Sequence, residues 1–254
     1  MSRFTFRNIF LAFIVCNTFS CSTTPKLKKV ETSMIELNSQ SVQNDAAFEM
    51  TINPYKIKMD LTMNDVLIVS EQPLTKGSPE STLGDFTADA LLIKTNDHYK
   101  PADKVPGDIS FLNNGSMRTA FPKGDITRGN AFGLMPFENF IVVLTISGAK
   151  TKQLFEYIVE NNGFPFAGAR VKVKERKITE LKINGKNLDL KKTYKIITSD
   201  YILGETIKYY FFKDPIKSEV LKYKLRDAII DYLVDENKKG HSLKVNLDER
   251  IKYE

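Results

Sequence analysis

Asp108-Ile109-Ser110-Phe111-Leu112-Asn113-Asn114-Gly115-Ser116-Met117-Arg118 is the stretch on which the fold turns. Asp108 to Leu112 has strand character and runs straight into Asn113-Asn114-Gly115, a turn signal. An amide before the glycine and Arg118 after it make a grip for an anion or a carboxylate, because a guanidinium offers a planar fork of donors. The same residue types also suit a capped turn carrying a surface arginine.

Elements of both kinds flank this strand. Asn64 to Val69 reads as a strand ended by Pro73. Leu83 to Asn96 reads as a helix, with Phe86, Ala90 and Ile93 recurring on one face. Phe140 to Ile146 is an unbroken β-rich run, followed by an amphipathic helix from Lys150 to Asn161 with Leu154, Tyr157 and Ile158 inward. Gly163 stands where a helix C-cap glycine belongs. Arg170–Arg176 and Ile178–Ile183 pair as strands, Asn184-Gly185 is a hairpin turn, and Tyr194–Ser199 is a further strand. Leu221, Leu225, Ile229 and Leu233 lie four apart and predict one long helix over Ser218–Glu236, closed by Gly240. Interspersed helices and short strands with a hairpin define an α+β (mixed α/β) fold.

Two more segments carry candidate chemistry. Met135-Pro136-Phe137-Glu138-Asn139 fixes a loop with proline and aims an aromatic, which serves either as a stacking platform or as a core plug. Ser199-Asp200-Tyr201-Ile202-Leu203-Gly204 places an aromatic just after a strand end.

Composition removes several classes. The 254 residues carry 37 Lys and Arg against 31 Asp and Glu, and 42% are apolar, which is too apolar for a disordered chain. Lysines are interleaved with acids, as in Lys172, Lys174, Glu175, Arg176 and Lys177, so the net charge of +6 does not form a nucleic-acid-binding patch. Two histidines, His98 and His241, and two cysteines, Cys16 and Cys21, cannot build a Cys/His zinc site. Phosphate loops of the Walker and dinucleotide types and the G-x-S-x-G elbow are absent.

The first 20 residues read as an export signal. Arg3 and Arg7 precede the apolar run Ile9–Val15, which is too short to span a bilayer. Ser20-Cys21 then resembles a bacterial lipoprotein signal, with Cys21 the lipidated residue; a plain secretory signal is the alternative. Cutting before Cys21 removes both arginines and no acid, lowering the formal charge from +6 to +4. Residues 21–47 are polar and read as a linker, and residues 48–254 as one globular domain.

Taken in order, five segments resemble the C-terminal, substrate-binding domain of the 5′-nucleotidase family, which includes the UDP-sugar hydrolases. They are Pro79–Ala90, Asp108–Arg118, Gly124–Thr127, Leu134–Asn139 and Lys192–Tyr201. The resemblance implies a single domain of α/β/β/α layers. It implies that Phe137 and Tyr201 sandwich a flat group of a nucleoside or nucleotide-like ligand, with Arg118 and Asn113 holding the rest. The family's two-metal phosphoesterase domain has no counterpart here: there is no D-x-H and no G-N-H. No cofactor is therefore expected in this chain, and its divalent metals are expected on a separate metallophosphoesterase chain. The expected function is the substrate-binding half of a split, exported hydrolase tethered to a membrane through Cys21. The alternatives are a non-catalytic lipid-anchored binding module or a degenerate domain kept as a structural or regulatory partner. Some pocket positions differ from the family pattern. A Gly-Gly-Asp after the second aromatic is Glu205-Thr206-Ile207, a Gly-Gly-Gly is Asn114-Gly115-Ser116, and an arginine seven residues before Gly84 is Gly77.

Overall fold

The computed structural model describes residues 27, 29–36, 38 and 45–254. The expected signal at 1–20 and Cys21 lie outside the described residues. Those of residues 27–38 that are described are exposed and form no helix or strand. Helix α1 (Ala46–Met63), to which the sequence analysis gave no element, buries no residue. Residues 52–254 make one compact unit. Among the described residues no helix is long and apolar enough to cross a membrane.

After α1 come β1 (Val66–Ser70), α2 (Thr82–His98), β2 (Ile109–Phe111), β3 (Gly124–Thr127), α3 (Arg128–Leu134), β4 (Phe140–Ser147) and α4 (Gly148–Glu160). They are followed by β5 (Phe166–Ala167), β6 (Ala169–Lys174), β7 (Lys177–Ile183), β8 (Lys186–Asn187), β9 (Thr193–Ser199), α5 (Asp200–Gly204), β10 (Lys217–Lys224), α6 (Leu225–Lys238) and β11 (Ile251–Tyr253). A five-stranded sheet has the order β10-β4-β9-β2-β5, and a four-stranded one the order β11-β6-β7-β8. A small two-stranded sheet pairs β1 with β3.

The unbroken apolar run of β4 follows from its place in the five-stranded sheet, where both faces are covered. Alternate residues point to opposite sides. Ile141 and Val143, with Ile197 of β9, join the core formed by Phe86, Ala90 and Leu91 of α2 and Leu225, Ala228, Ile229 and Leu233 of α6. Val142, Leu144 and Ile146 join a second core with Leu154, Phe155 and Ile158 of α4 and Val171, Val173, Leu181 and Ile183 of the four-stranded sheet. The α2/α6 layer, the two sheets and α4, which touches β4, β7 and β9, give the layered mixed α/β fold. Ile93, expected on the buried face of α2, is 46% exposed; the buried stripe is centred nearer Leu83, Thr87 and Leu91.

The predicted helix over Ser218–Glu236 is instead two elements. Lys217–Lys224 is a strand at the sheet edge, antiparallel to β4 with Val220 opposite Val142. Only Leu225–Lys238 is helical. The four-residue spacing was a coincidence of destination, because Leu221 on the strand packs against the same core that buries Leu225, Ile229 and Leu233 on the helix. The strand's own signal is the alternation of exposed Ser218, Val220 and Lys222 with half-buried Glu219, Leu221 and Tyr223.

Two punctuation signals act as read. Asn184 and Gly185 both have positive φ, 49° and 78°, as a two-residue hairpin turn between β7 and β8 requires. Gly163 ends α4 at φ 99°, its N–H donating to Ile158 O at 2.8 Å. A Cβ there would lie 2.0 Å from Pro79 O.

Candidate functional site

The order of the five-stranded sheet decides what meets at its edge. β2 and β9 are parallel, with Ile109 opposite Ile196, so both end at the same edge. β4 and β5 run antiparallel to them and start there, Ile141 facing Ser199 and Phe111 facing Phe166. The chain leaving β2 carries Asn113 to Arg118, and the chain leaving β9 carries Tyr201. The loop entering β4 carries Phe137, and the one entering β5 carries Phe164. A crevice outside strand ends is a common ligand position in α/β sheets.

A cleft of about 450 Å³ lies at this edge, lined by Asn113, Asn114, Gly115, Ser116, Arg118, Phe137, Asn139, Phe164, Tyr201 and Lys208. All four residues singled out for ligand contact, Asn113, Arg118, Phe137 and Tyr201, are thus brought together. Phe137 and Tyr201 are 46% and 50% exposed, so Phe137 is a wall of the cleft and not a core plug. The Arg118 guanidinium lies over Phe137, 5.1 Å from the ring centroid. Asn113 Oδ1 accepts from Ser116 Oγ inside the short 3₁₀ turn Asn114–Ser116.

The Phe137 loop is pinned from two sides. Arg226, the second residue of α6, is 5% exposed and lies over Phe132 at 3.9 Å from the ring centroid. Its guanidinium donates to the carbonyls of Met135 and Pro136 at 3.3 and 3.4 Å and pairs with Glu138. Lys224 also pairs with Glu138, and the two cations, Lys224 foremost, hold the Glu138 carboxyl down at about 2. From the other side, Asp200 Oδ1 accepts from Asn139 Nδ2 at 2.9 Å and from Tyr201 N at 2.7 Å, while Oδ2 accepts from Phe140 N at 3.2 Å. One carboxylate therefore clasps the loop of one aromatic wall to the element of the other.

Phe164, Asn114, Asn139 and Lys208 also line the cleft but were not singled out from sequence. Phe164 stacks on Tyr157 with centroids 5.5 Å apart and planes at 18°. Asn114 Nδ2 reaches Gly163 O at 3.4 Å. Their signal was topological: the Gly163-Phe164-Pro165 corner enters the strand next to β2. Lys208 sits in the loop after α5, with its ammonium 5.3 Å from the Tyr209 ring centroid.

Among the described residues, Glu80, Asp85 and Asp248 offer oxygens within 4.8 Å of one another, the one grouping with the composition of a metal site. Arg250 already supplies positive charge there. Its Nε lies 3.4 Å from Asp85 and 3.1 Å from Asp248, and Nη2 lies 2.6 Å from Asp89. Glu80 accepts the backbone N–H groups of Asp248 and Arg250, both at 2.9 Å, so the set ties the C-terminal segment to the start of α2. Asp85 is 3% exposed and its Oδ2 has no donor. Burial pushes its carboxyl up to about 8, opposed by Arg250 and reinforced by Glu80.

Fold and cleft together define a mixed α/β domain that presents an aromatic-walled, cationic crevice at one sheet edge. The sequence pattern of the family "5′-nucleotidase, C-terminal domain" matches residues 61–214, and the chain belongs to that family. It is 27% identical over 189 residues to the trifunctional nucleotide phosphoesterase protein YfkN of Bacillus subtilis, a match covering 68% of this chain and 12% of that protein. It is 26% identical over 179 residues to a 5′-nucleotidase-related protein of Glossina morsitans morsitans, covering 61% of this chain and 32% of the relative. The crystal structure of the 5′-nucleotidase precursor of Thermus thermophilus shares the fold, with a TM-score of 0.67 at 20% identity over 84% of this chain and 44% of that one. The chain thus matches less than half of each of these proteins.

Proposed function

We propose that this chain is the substrate-binding part of an exported 5′-nucleotidase-like hydrolase of nucleotide catabolism, held at a membrane through lipidated Cys21. The supporting observation is the single cleft in which Phe137 and Tyr201 are both exposed as walls with Arg118 and Asn113 beside them. A flat heterocycle fits such walls by stacking, and Arg118 then holds an anionic or carbonyl group by a charge-assisted bond. Asn113, Asn114 and Ser116 offer amide and hydroxyl partners to the remaining polar atoms.

The metal centre in this proposal belongs to a separate metallophosphoesterase chain. Two metal ions there would activate water and clamp the phosphoryl group for in-line displacement. The part played by this chain is to bind, orient and release the nucleoside portion. The direct test is a thermal-shift panel of nucleosides and nucleotides on the full chain, combined with a phosphatase assay in added Mg²⁺, Mn²⁺ or Zn²⁺. The proposal predicts stabilisation by nucleotides without turnover; ligand at 100 times its Kd adds about 2.7 kcal/mol. Metal-dependent turnover by the pure chain would contradict it.

A further inference from the structure

Alternation along a strand sends successive side chains to opposite faces. In β6, Val171 and Val173 are buried, while Arg170, Lys172 and Lys174 stand on the outward face of the four-stranded sheet. Neighbouring strands add to that face: Lys182 is opposite Arg170, Lys177 opposite Lys174, and Lys252 opposite Lys172. Residues 169–192 hold nine Lys and Arg against three Asp and Glu, which leaves 28 of each in the rest of the chain. The whole excess of +6 thus falls within this one stretch. Part of it is offset locally. Glu180 is shared by Lys172 and Lys182, Asp248 pairs with Arg170, and Glu249 pairs with Lys252. Glu175 adjoins Arg176, Asp189 precedes Leu190, Glu254 ends β11, and Glu160 of α4 borders a cavity with Arg176 and Lys177. The ten cations of the face and its rim still outnumber these seven acids. Lys174, Lys177, Lys186, Lys191 and Lys192 make no ion pair among the described residues. Leu190, three residues after β8, is 56% exposed beside Lys191 and Lys192.

From this arrangement we propose that the outward face of the four-stranded sheet docks on an anionic lipid membrane, its lysines on headgroup phosphates and Leu190 in the headgroup boundary. Long lysine stems suit that boundary, since they lie along apolar surface and keep the ammonium in water. No aromatic ring stands among the outward positions of β6 and β7, so a nucleic-acid base has nothing to stack on. An exposed leucine ringed by lysines fits lipid better than a purely polar polyanion. The setting rests on the membrane tether of the proposed function, whereas the face itself can be read without the anchor. Each lysine near an anionic surface strengthens binding about fivefold, and the attraction fades over a Debye length of about 8 Å at 0.15 M salt.

The test is cosedimentation of the full chain carrying Cys21→Ser, which has no acyl anchor, with vesicles of phosphatidylcholine alone or mixed equally with phosphatidylglycerol. Every variant keeps the same N-terminus, so its contribution cancels in the comparison. The chain prefers the mixed vesicles, and raised salt removes the preference. Lys174→Gln, Lys177→Gln and Lys182→Gln combined weaken binding to them about 10- to 100-fold, from about fivefold per lysine. The same change at exposed Lys100, Lys123 and Lys213 lowers the net charge equally and has much less effect. Leu190→Ser weakens vesicle binding about 3- to 30-fold, the range for a leucine leaving an apolar environment, and leaves retention on heparin unchanged. Equal losses in the two triple variants overturn the proposal, because net charge alone then drives binding. Unchanged vesicle binding in Leu190→Ser, with tighter binding to duplex DNA than to vesicles, overturns lipid as the occupant. Absence of any preference for the mixed vesicles overturns the docking face whether or not Cys21 anchors the wild type; a wild type that fractionates as soluble removes the tether alone.

Discussion

Replacing Asp200 by alanine removes the clasp between the two aromatic walls. Three donors lose a charged acceptor: Asn139 Nδ2 at 2.9 Å, Tyr201 N at 2.7 Å and Phe140 N at 3.2 Å. A bond to a charged group contributes about 1.5–3 kcal/mol when its donor would otherwise be buried. Phe140 and Tyr201 are exposed, so water can satisfy their N–H groups, and the summed loss falls to about 1–2 kcal/mol. Urea unfolding monitored by circular dichroism should show that loss as a lower midpoint with an unchanged slope. The effect on binding is larger relative to its cause. Once the clasp is gone, the Phe137 loop and α5 lose their shared anchor, and nucleotide affinity falls about tenfold as wall ordering shifts to the binding step. Asp200→Asn keeps one acceptor oxygen and should fall between wild type and alanine on both measures. An alanine variant with the lower midpoint but nucleotide affinity within twofold of wild type would refute the positioning role.

Phe137→Ala should weaken a nucleotide by about 5- to 100-fold, the range for loss of one stacked base. Because the ring is 46% exposed, the unfolding midpoint should barely move, whereas a loss of about 3–5 kcal/mol would mark it as core. Asp85→Asn should flatten the dependence of stability on pH. Between its ordinary value near 3.8 and its folded value of about 8, the folded chain holds a proton that the unfolded chain has released. Wild-type stability therefore falls as pH rises through that window, by up to about 1.4 kcal/mol per pH unit; an equally steep thermal profile in Asp85→Asn would show that the slope arises elsewhere. Cys21→Ser should convert a membrane-partitioning protein into a soluble or uncleaved one, since acyl chains contribute about 0.8 kcal/mol per buried CH₂. A wild type that fractionates as soluble removes the lipid anchor.

Much of the fold was legible because its signals are local. The β4 run, the α2 and α4 periodicities, the Asn184-Gly185 turn and the Gly163 cap each depend on a few neighbouring residues. The edge strand β10 was misread because periodicity reports only that residues share a core, and Leu221 shares one with α6 from a different element. The four residues singled out for ligand contact were named through the family resemblance; residue type alone left Phe137 open as a core plug and Arg118 as a surface arginine on a capped turn. Phe164 and Lys208 were missed because neither stands in the segments that carried the resemblance. For Phe164, two residues before β5, only the pairing of β5 beside β2 brings it to the cleft, a tertiary fact with no short-range signature. The Arg226 and Asp200 anchors escaped for the same reason: their partners lie 88 and 61 residues away.

The most direct test of the account is a double-mutant cycle on nucleotide affinity. AMP is titrated calorimetrically into wild type, Phe137→Ala, Tyr201→Ala and the double variant. If the two rings clamp one base, each single variant loses about 1–3 kcal/mol of binding. The double variant then loses a total that differs from the sum of the single losses, because two walls of one clamp are coupled. Single variants that retain wild-type affinity for AMP would contradict the central claim that Phe137 and Tyr201 form the ligand-binding walls of this cleft.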